Sequence, residues 1–334
     1  MTENKLTLLE ALGKKLISTD NESLKQRKIS AERRNRWFTQ EFINFALQSI
    51  TENFLNKKKL EKWLSNYDFS SFDKNQTIGL ILAGNLPLVG FQDIVTCFVL
   101  GVKVKLKLSS KDETLTKYMI KELKEIDPLW ECEIVERLQG YDKVIATGSN
   151  NTNRYFEFYF KEVPNLLRTN RNSIAILSGK ESDEELETLA DDIFMFFGHG
   201  CRNISRLFLP EGYDVTKLFP HFKNYVHLHQ HKLYMDNYDY TRTLLLMNQT
   251  DHYANEFVML KEEEHLQSRL ATVNFSFYKK EAEVVDYLTK HENDIQCVVS
   301  QVSNYWKSFN FGQAQKPELS DYADNVDVIE FLIK

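Results

Sequence analysis

Strand-like apolar runs alternate with helix-length segments through most of this chain, and the alternation restricts it to folds built on a largely parallel sheet. Runs at 78–83, 102–108, 133–135, 144–147 and 173–177 read as buried strands. Most are separated by enough residues for a crossover helix, which in such sheets is right-handed. Before the first strand the period is helical instead. Leu6, Leu9, Leu12 and Leu16 mark one apolar face, Phe38, Phe42, Phe45 and Leu47 a second, and Leu60, Trp63 and Leu64 a third.

Four segments follow from this pattern: a helical segment at 1–75, an α/β domain at 76–180, a second α/β domain at 181–308 and a tail at 309–334 that packs back on the body. The second α/β domain opens with a helix expected at 183–197 that runs into Gly198, and a strand at 205–209 follows. A helical aromatic stretch at 215–247, strands near 257–260, 271–277 and 295–300, and a helix at 280–290 complete it.

Charge and cysteine content exclude several classes. The 334 residues carry 42 basic and 48 acidic side chains, well mixed, and a net charge of -6 supplies no broad basic face for a phosphate backbone. No nucleic acid is expected as a partner. No run approaches the ~20 apolar residues that span a bilayer, and the amino-terminal leucines are interrupted by charges, unlike a secretory signal. Cys97, Cys132, Cys201 and Cys297 are widely spaced without a CxxC pair, which fits neither a disulfide framework nor a thiolate zinc site. A cytoplasmic location is the expectation.

Three places can carry chemistry. In Ala83-Gly84-Asn85-Leu86-Pro87-Leu88 a strand empties into an amide-bearing turn at the sheet's carboxyl edge, where open α/β sheets bind ligands; the plainer reading makes Asn85 the cap of a helix starting near Leu88. Phe197-Gly198-His199-Gly200-Cys201-Arg202 sets a thiol among glycines beside an arginine, an environment that favours thiolate. This makes Cys201 the best nucleophile in the chain, while Cys97, Cys132 and Cys297 read as inert core residues. Thr147-Gly148-Ser149 opens a helix whose free N–H groups suit a diphosphate, although Ser149 is also an ordinary N-cap. The dinucleotide fingerprint GxGxxG is absent, because Gly198-His199-Gly200 leads to Asn203. His227, His229 and His231 alternate without a nearby carboxylate, weak support for a metal, and none is expected. The acidic run 262–264 reads as a solvated face.

In this order the elements resemble the aldehyde dehydrogenase superfamily, and more closely its acyl-CoA reductase branch, the group containing the fatty acyl reductase of bacterial luminescence systems. Asn85 before Pro87, Lys107 closing the next strand, the Gly148–Ser149 pair opening a helix, and Cys201 between Gly200 and Arg206 match that family's pattern from about residue 77 to 209. The resemblance implies an aldehyde-dehydrogenase-like fold of two Rossmann-like parallel-sheet units with an N-terminal helical segment. It also implies that Cys201 attacks an acyl-CoA thioester, that the Asn85 amide and the Cys201 N–H hold the oxyanion, and that hydride converts the acyl group to aldehyde.

Two departures refine this expectation. The family's hydrolytic members place a glutamate base just before the strand at 173–177, where this chain reads Leu167-Arg-Thr-Asn-Arg-Asn172; without it an acyl group on Cys201 is spared from water. NAD-preferring relatives carry a glutamate three residues beyond the matching lysine, whereas here Ser110 is followed by Lys111, which favours NADPH over NADH. Lys107, Ser109, Ser110 and Lys111 are therefore expected at the adenosine phosphate, and Gly148 and Ser149 at the diphosphate. No residue matches the family's later glutamate that holds the nicotinamide ribose. This keeps open an alternative, a catalytically reduced subunit that binds a partner or transfers acyl groups. A homodimer or a larger acyl-transfer complex is the expected assembly.

Overall fold

Leu6, Leu9, Leu12 and Leu16 are all buried along one side of α1 (Glu3–Ile17), as a leucine repeat of helical spacing requires. The computed structural model describes residues 3–301 and 308–334, and the chain divides into two units, Met1–Asn170 with Pro317–Lys334, and Arg171–Lys316. In the first, α1 is followed by α2 (Glu22–Arg34), α3 (Gln40–Asn53) and α4 (Lys57–Leu64). Phe38, Leu47, Leu60 and Trp63 join the same core, and Phe42 is buried as well. Lys5 on α1 donates to the Phe98 carbonyl at 2.7 Å and pairs with Asp127 at 2.9 Å, fixing the helical segment to the sheet layer.

That layer comprises β1 (Thr77–Ile81), α5 (Phe91–Leu100), β2 (Lys103–Lys107), α6 (Glu113–Ile126), β3 (Cys132–Ile134), β4 (Lys143–Thr147), α7 (Asn150–Phe160) and β5 (Asn165–Arg168). All strand pairs are parallel, in the order β3-β2-β1-β4-β5. The chain builds outward from β1 in one direction, then restarts at β4 on its other side, which makes the carboxyl ends of β1 and β4 a topological switch point. Strand β5, whose last two residues open the stretch that lacks a base, has no counterpart among the strands expected from sequence. Its Leu166 and Arg168 are buried while Asn165 and Leu167 are half-buried, too brief an alternation to stand out.

The second unit contains β6 (Asn172–Ile176), α8 (Asp183–Phe194), β7 (Ile204–Pro210), α9 (Lys232–Met247), β8 (Tyr253–Ala254), β9 (Met259–Glu262), β10 (Thr272–Tyr278), α10 (Glu281–Lys290), β11 (Ile295–Ser300) and β12 (Ser308–Phe309). These strands form a mixed sheet, β12-β11-β6-β7-β10-β9-β8, in which, among the described residues, only the β8–β9 pair is antiparallel. Ser182 caps α8 in a reciprocal capping box with Glu185, the acidic start expected there. The helix ends at Phe194, earlier than expected, because Phe196 and Phe197 take φ of 54° and 58°. The stretch at 215–247 is not one helix: Val215–Gln230 is 3-10 and α9 follows. Pro220 lies inside the first part, where its ring and missing N–H exclude an α-helical turn.

The chain ends with α11 (Val328–Ile333), which belongs to the first unit. Tyr322 anchors this return: its hydroxyl accepts from Trp63 Nε1 at 2.6 Å and lies 2.7 Å from the Tyr67 hydroxyl, which donates to Asp327 at 2.6 Å.

Candidate functional site

In the first unit the loops after β1, β2 and β4 leave the same carboxyl edge of the sheet, and they carry, with Lys107 at the end of β2, every residue expected from sequence at a cofactor. Asn85 is exposed in the loop after β1. It does not cap α5, whose N-cap position is Gly90, with no side-chain cap bond; the plainer reading of Asn85 as that helix's cap is set aside. Leu88 takes a left-handed φ of 56°, and its N–H donates to the Asp112 carboxylate at 2.7 Å.

Lys107 is the last residue of β2 and is exposed, as are Ser110 and Lys111. Ser109 is half-buried and its Oγ accepts from the Lys111 N–H at 3.4 Å. The β1 and β2 loops approach so closely that a Cβ on Gly84 would lie 2.3 Å from Ser109 Oγ and 2.6 Å from Ser109 Cβ. Only glycine fits there. Asp112 heads α6 but turns inward instead of capping it: its Oδ2 accepts from Leu88 N–H and from the Thr116 hydroxyl at 3.2 Å, and its Oδ1 is buried with no partner. Burial pushes its carboxyl up to about 7.

After β4, Gly148 approaches α7 so tightly that a Cβ would meet the Phe156 ring at 2.8 Å. Ser149 is the N-cap of α7, accepting from Thr152 N–H at 3.3 Å. Its hydroxyl therefore has the cap role, and the backbone N–H groups of the helix start are what the turn offers an anion. Arg34 on α2 reaches Glu113 on α6 at 3.1 Å, two residues from Lys111, a contact that no local sequence signal marks.

The same unit shows what occupies the stretch without a base. Arg168 on β5 is buried and forms a two-pronged pair with Asp93 of α5, at 2.6 and 2.9 Å. No carboxylate lies on β5 itself.

In the second unit, Cys201 is partly exposed in the turn between Gly198 and β7. Arg202 beside it donates to the Ala314 carbonyl at 3.4 Å and stacks over Phe309 at 5.2 Å. The other three cysteines are buried, and burial raises their thiols, Cys132 to about 12 and Cys297 to about 11. Arg206 lies within the sheet, its guanidinium donating to the Glu264 carbonyl and to Ser276 Oγ and packed 4.2 Å from the Tyr287 ring centre. His227 and His229 contact the carbonyls of Asn224 and Val226, while His231 caps α9 and lies against Phe197 at 4.2 Å. Among the described residues no group of three or more His, Cys, Asp or Glu is arranged to hold a metal.

No family model matches the chain, and no curated protein matches it significantly. Solved structures do. The aldehyde dehydrogenase KauB from Pseudomonas aeruginosa is 12% identical, with 91% of this chain and 73% of that one covered and a TM-score of 0.63. The NAD+ complex of an aldehyde dehydrogenase from Mycobacterium tuberculosis is 12% identical, with 90% and 73% covered and a TM-score of 0.61. An NAD+ complex of an aldehyde dehydrogenase from Bacillus cereus is 15% identical, with 91% and 73% covered and a TM-score of 0.60. At such identities the likeness is one of fold. The chain has an aldehyde-dehydrogenase-like fold, α/β, with one parallel and one mixed sheet and helices at its amino end.

Proposed function

We propose that the protein is an NAD(P)-dependent oxidoreductase of aldehyde dehydrogenase type, and more narrowly that it reduces an acyl-CoA thioester to an aldehyde with NADPH. The observation that carries this reading is the set of three loops at the switch-point edge of the parallel sheet. They hold Gly84 against Ser109, Lys107 and Lys111 in solvent, and an α7 N-terminus opened by Gly148. This edge suits a dinucleotide by its chemistry: glycine where backbone must come close, a helix N-terminus for diphosphate, and lysines for a further phosphate. When bound, NADPH supplies a hydride.

Cys201 takes the covalent role. Its thiolate attacks the thioester carbonyl, a carbon–sulfur bond forms, and CoA leaves as thiolate to collect a proton. Cys201 would carry the hemithioacetal that a hydride on the acyl carbon leaves, until its carbon–sulfur bond breaks, releasing aldehyde and returning the cysteine thiolate. Asn85 is assigned as a donor to the oxyanion. Arg168, spoken for by Asp93, has no proton-accepting role. The absence of a carboxylate from residues 167–172 supports an acyl group that is reduced instead of hydrolysed.

Purified protein mixed with NADPH and acyl-CoAs of several chain lengths tests this, with Cys201→Ala alongside. NADPH loss and aldehyde formation by the wild type alone is the expected result. Acyl transfer without NADPH loss replaces the reading with an acyl-carrying subunit, and free acid with CoA replaces it with a hydrolase.

A further inference from the structure

Two buried side chains that the proposed reaction does not use hold backbone groups on either side of Cys201. Asn203 is 3% exposed and Ser173 fully buried. Helix α8 stops at Phe194, and the chain passes through three consecutive left-handed residues, Phe196, Phe197 and Gly198. For a phenylalanine such a conformation costs on the order of 1–3 kcal/mol and persists only where the surroundings over-determine it. Asn203 supplies that determination. Its Nδ2 lies 3.2 Å from the carbonyls of Asp192 and Ile193 and 2.8 Å from that of Met195, oxygens at the end of α8 that no further helical turn satisfies. Its Oδ1 accepts from the Gly200 N–H at 2.7 Å.

Ser173, on β6, acts on the other side. Its Oγ lies 2.8 Å from the Cys201 carbonyl, 3.2 Å from the Cys297 N–H and 3.1 Å from Cys297 Sγ. A hydroxyl has one hydrogen and two lone pairs. The carbonyl only accepts, so the hydrogen goes to Cys201; the Cys297 N–H takes one lone pair, and the Cys297 thiol donates into the other. The order is thus Cys297 S–H to Ser173 O–H to the Cys201 carbonyl, with Cys297 protonated.

We propose that Asn203 and Ser173 are positioning residues for Cys201. By pinning the Gly200 N–H and the Cys201 carbonyl they fix the peptide between them, and with it the direction of the Cys201 N–H and the root of its thiol. The burial that raises the Cys297 thiol keeps it the donor this arrangement needs. The inference rests on the reading of Cys201 as nucleophile.

Ser173→Ala removes one oxygen and leaves the strand intact, Ser173→Thr restores the hydroxyl, and Asn203→Ala is the companion. Two readouts are taken on protein whose circular dichroism matches wild type. One is the pH–rate profile of Cys201 alkylation by iodoacetamide, read on the Cys201 peptide by mass spectrometry; the other is kcat and KM with acyl-CoA and NADPH. Ser173→Ala is expected to displace the alkylation profile and lower kcat by roughly tenfold or more with little change in KM, since small misplacements of a reacting group cost that much. Ser173→Thr should recover most of the loss. A folded Ser173→Ala protein with the wild-type alkylation profile and kcat overturns the proposal. A displaced profile in Ser173→Ala, in a protein whose wild type gains no acyl group on Cys201 from acyl-CoA, upholds the positioning role and overturns the reductase reading instead.

Discussion

Arg168 and Asp93 face each other as a buried fork, guanidinium to carboxylate, with two contacts of 2.6 and 2.9 Å that tie strand β5 to helix α5. Both side chains are almost entirely out of water, so neither charge can be left alone. Arg168→Met or Asp93→Leu alone should each destabilise the protein by about 3–5 kcal/mol, the usual cost of stranding one buried charge. The double replacement should cost clearly less than the two single losses added together. Urea unfolding of the three variants checks this, and additive losses would show that the pair acts as two independent contacts.

Asp112 gives the stability a definite pH slope. Its folded carboxyl titrates at about 7 against an ordinary value of 3.8, so between those values the folded protein holds more protons than the unfolded chain. Stability therefore falls as pH rises through that window, by at most about 1.4 kcal/mol per pH unit for one group, and levels off above it. Asp192, raised to about 7 by burial while accepting from the Gly312 and Ala314 N–H groups, slopes the same way. Asp112→Asn keeps an acceptor for Leu88 and Thr116 and removes the ionisation. Thermal melts from about pH 5 to about pH 8 should show a falling midpoint in the wild type and a flatter one in the variant. Equal slopes would exonerate Asp112.

Much of this frame is legible in the sequence because period and burial agree. The four leucines of α1, the strand at 78–83 and the acidic start of α8 each have a local signal that the packing then uses. What was hidden depends on partners distant in sequence. Asn203 reads only as a mismatch to a glycine motif, yet its amide collects three carbonyls and one N–H. Phe196 and Phe197 carry no turn signal, and the groups around their left-handed turn, the Asn203 amide and the rings of His231 and Tyr234 against Phe197, come from later in the chain. Ser173 looks like the ordinary first polar residue of a strand, and its role needs Cys297, 124 positions later. The loops at the carboxyl edge of the parallel sheet were legible because each has its own glycine, serine or lysine; the Arg34 contact was not, because it arrives from a helix 79 residues before its partner Glu113.

Gly84 should tolerate no side chain. Its Cβ would intrude on both Oγ and Cβ of Ser109, so Gly84→Ala must push the β1 and β2 loops apart. NADPH affinity, measured by fluorescence titration, should fall roughly tenfold or more, because these loops form the nucleotide edge under the proposed function. Gly101→Ala is the control. Gly101 also has a left-handed φ, 74°, but open space around it, so the substitution costs about 1–2 kcal/mol of stability and should leave affinity unchanged. A Gly84→Ala protein that binds NADPH as tightly as wild type would mean that the nucleotide lies elsewhere.

Lys111 should decide which nicotinamide nucleotide is used. It is exposed at the head of α6, and the nearest acid on that helix, Glu113, is engaged by Arg34 and Lys117. Lys111 is therefore available to a 2′-phosphate, and Lys107 closes β2 on the same edge. Lys111→Glu replaces attraction with repulsion at the one group by which NADPH differs from NADH, so KM for NADPH should rise by about 10- to 100-fold while that for NADH changes little. The contrast should shrink as salt is added, since exposed charges are screened within about 10 Å at 0.1 M. An equal change for both nucleotides would assign Lys111 to a feature they share, such as the diphosphate. No change for either would remove it from the site.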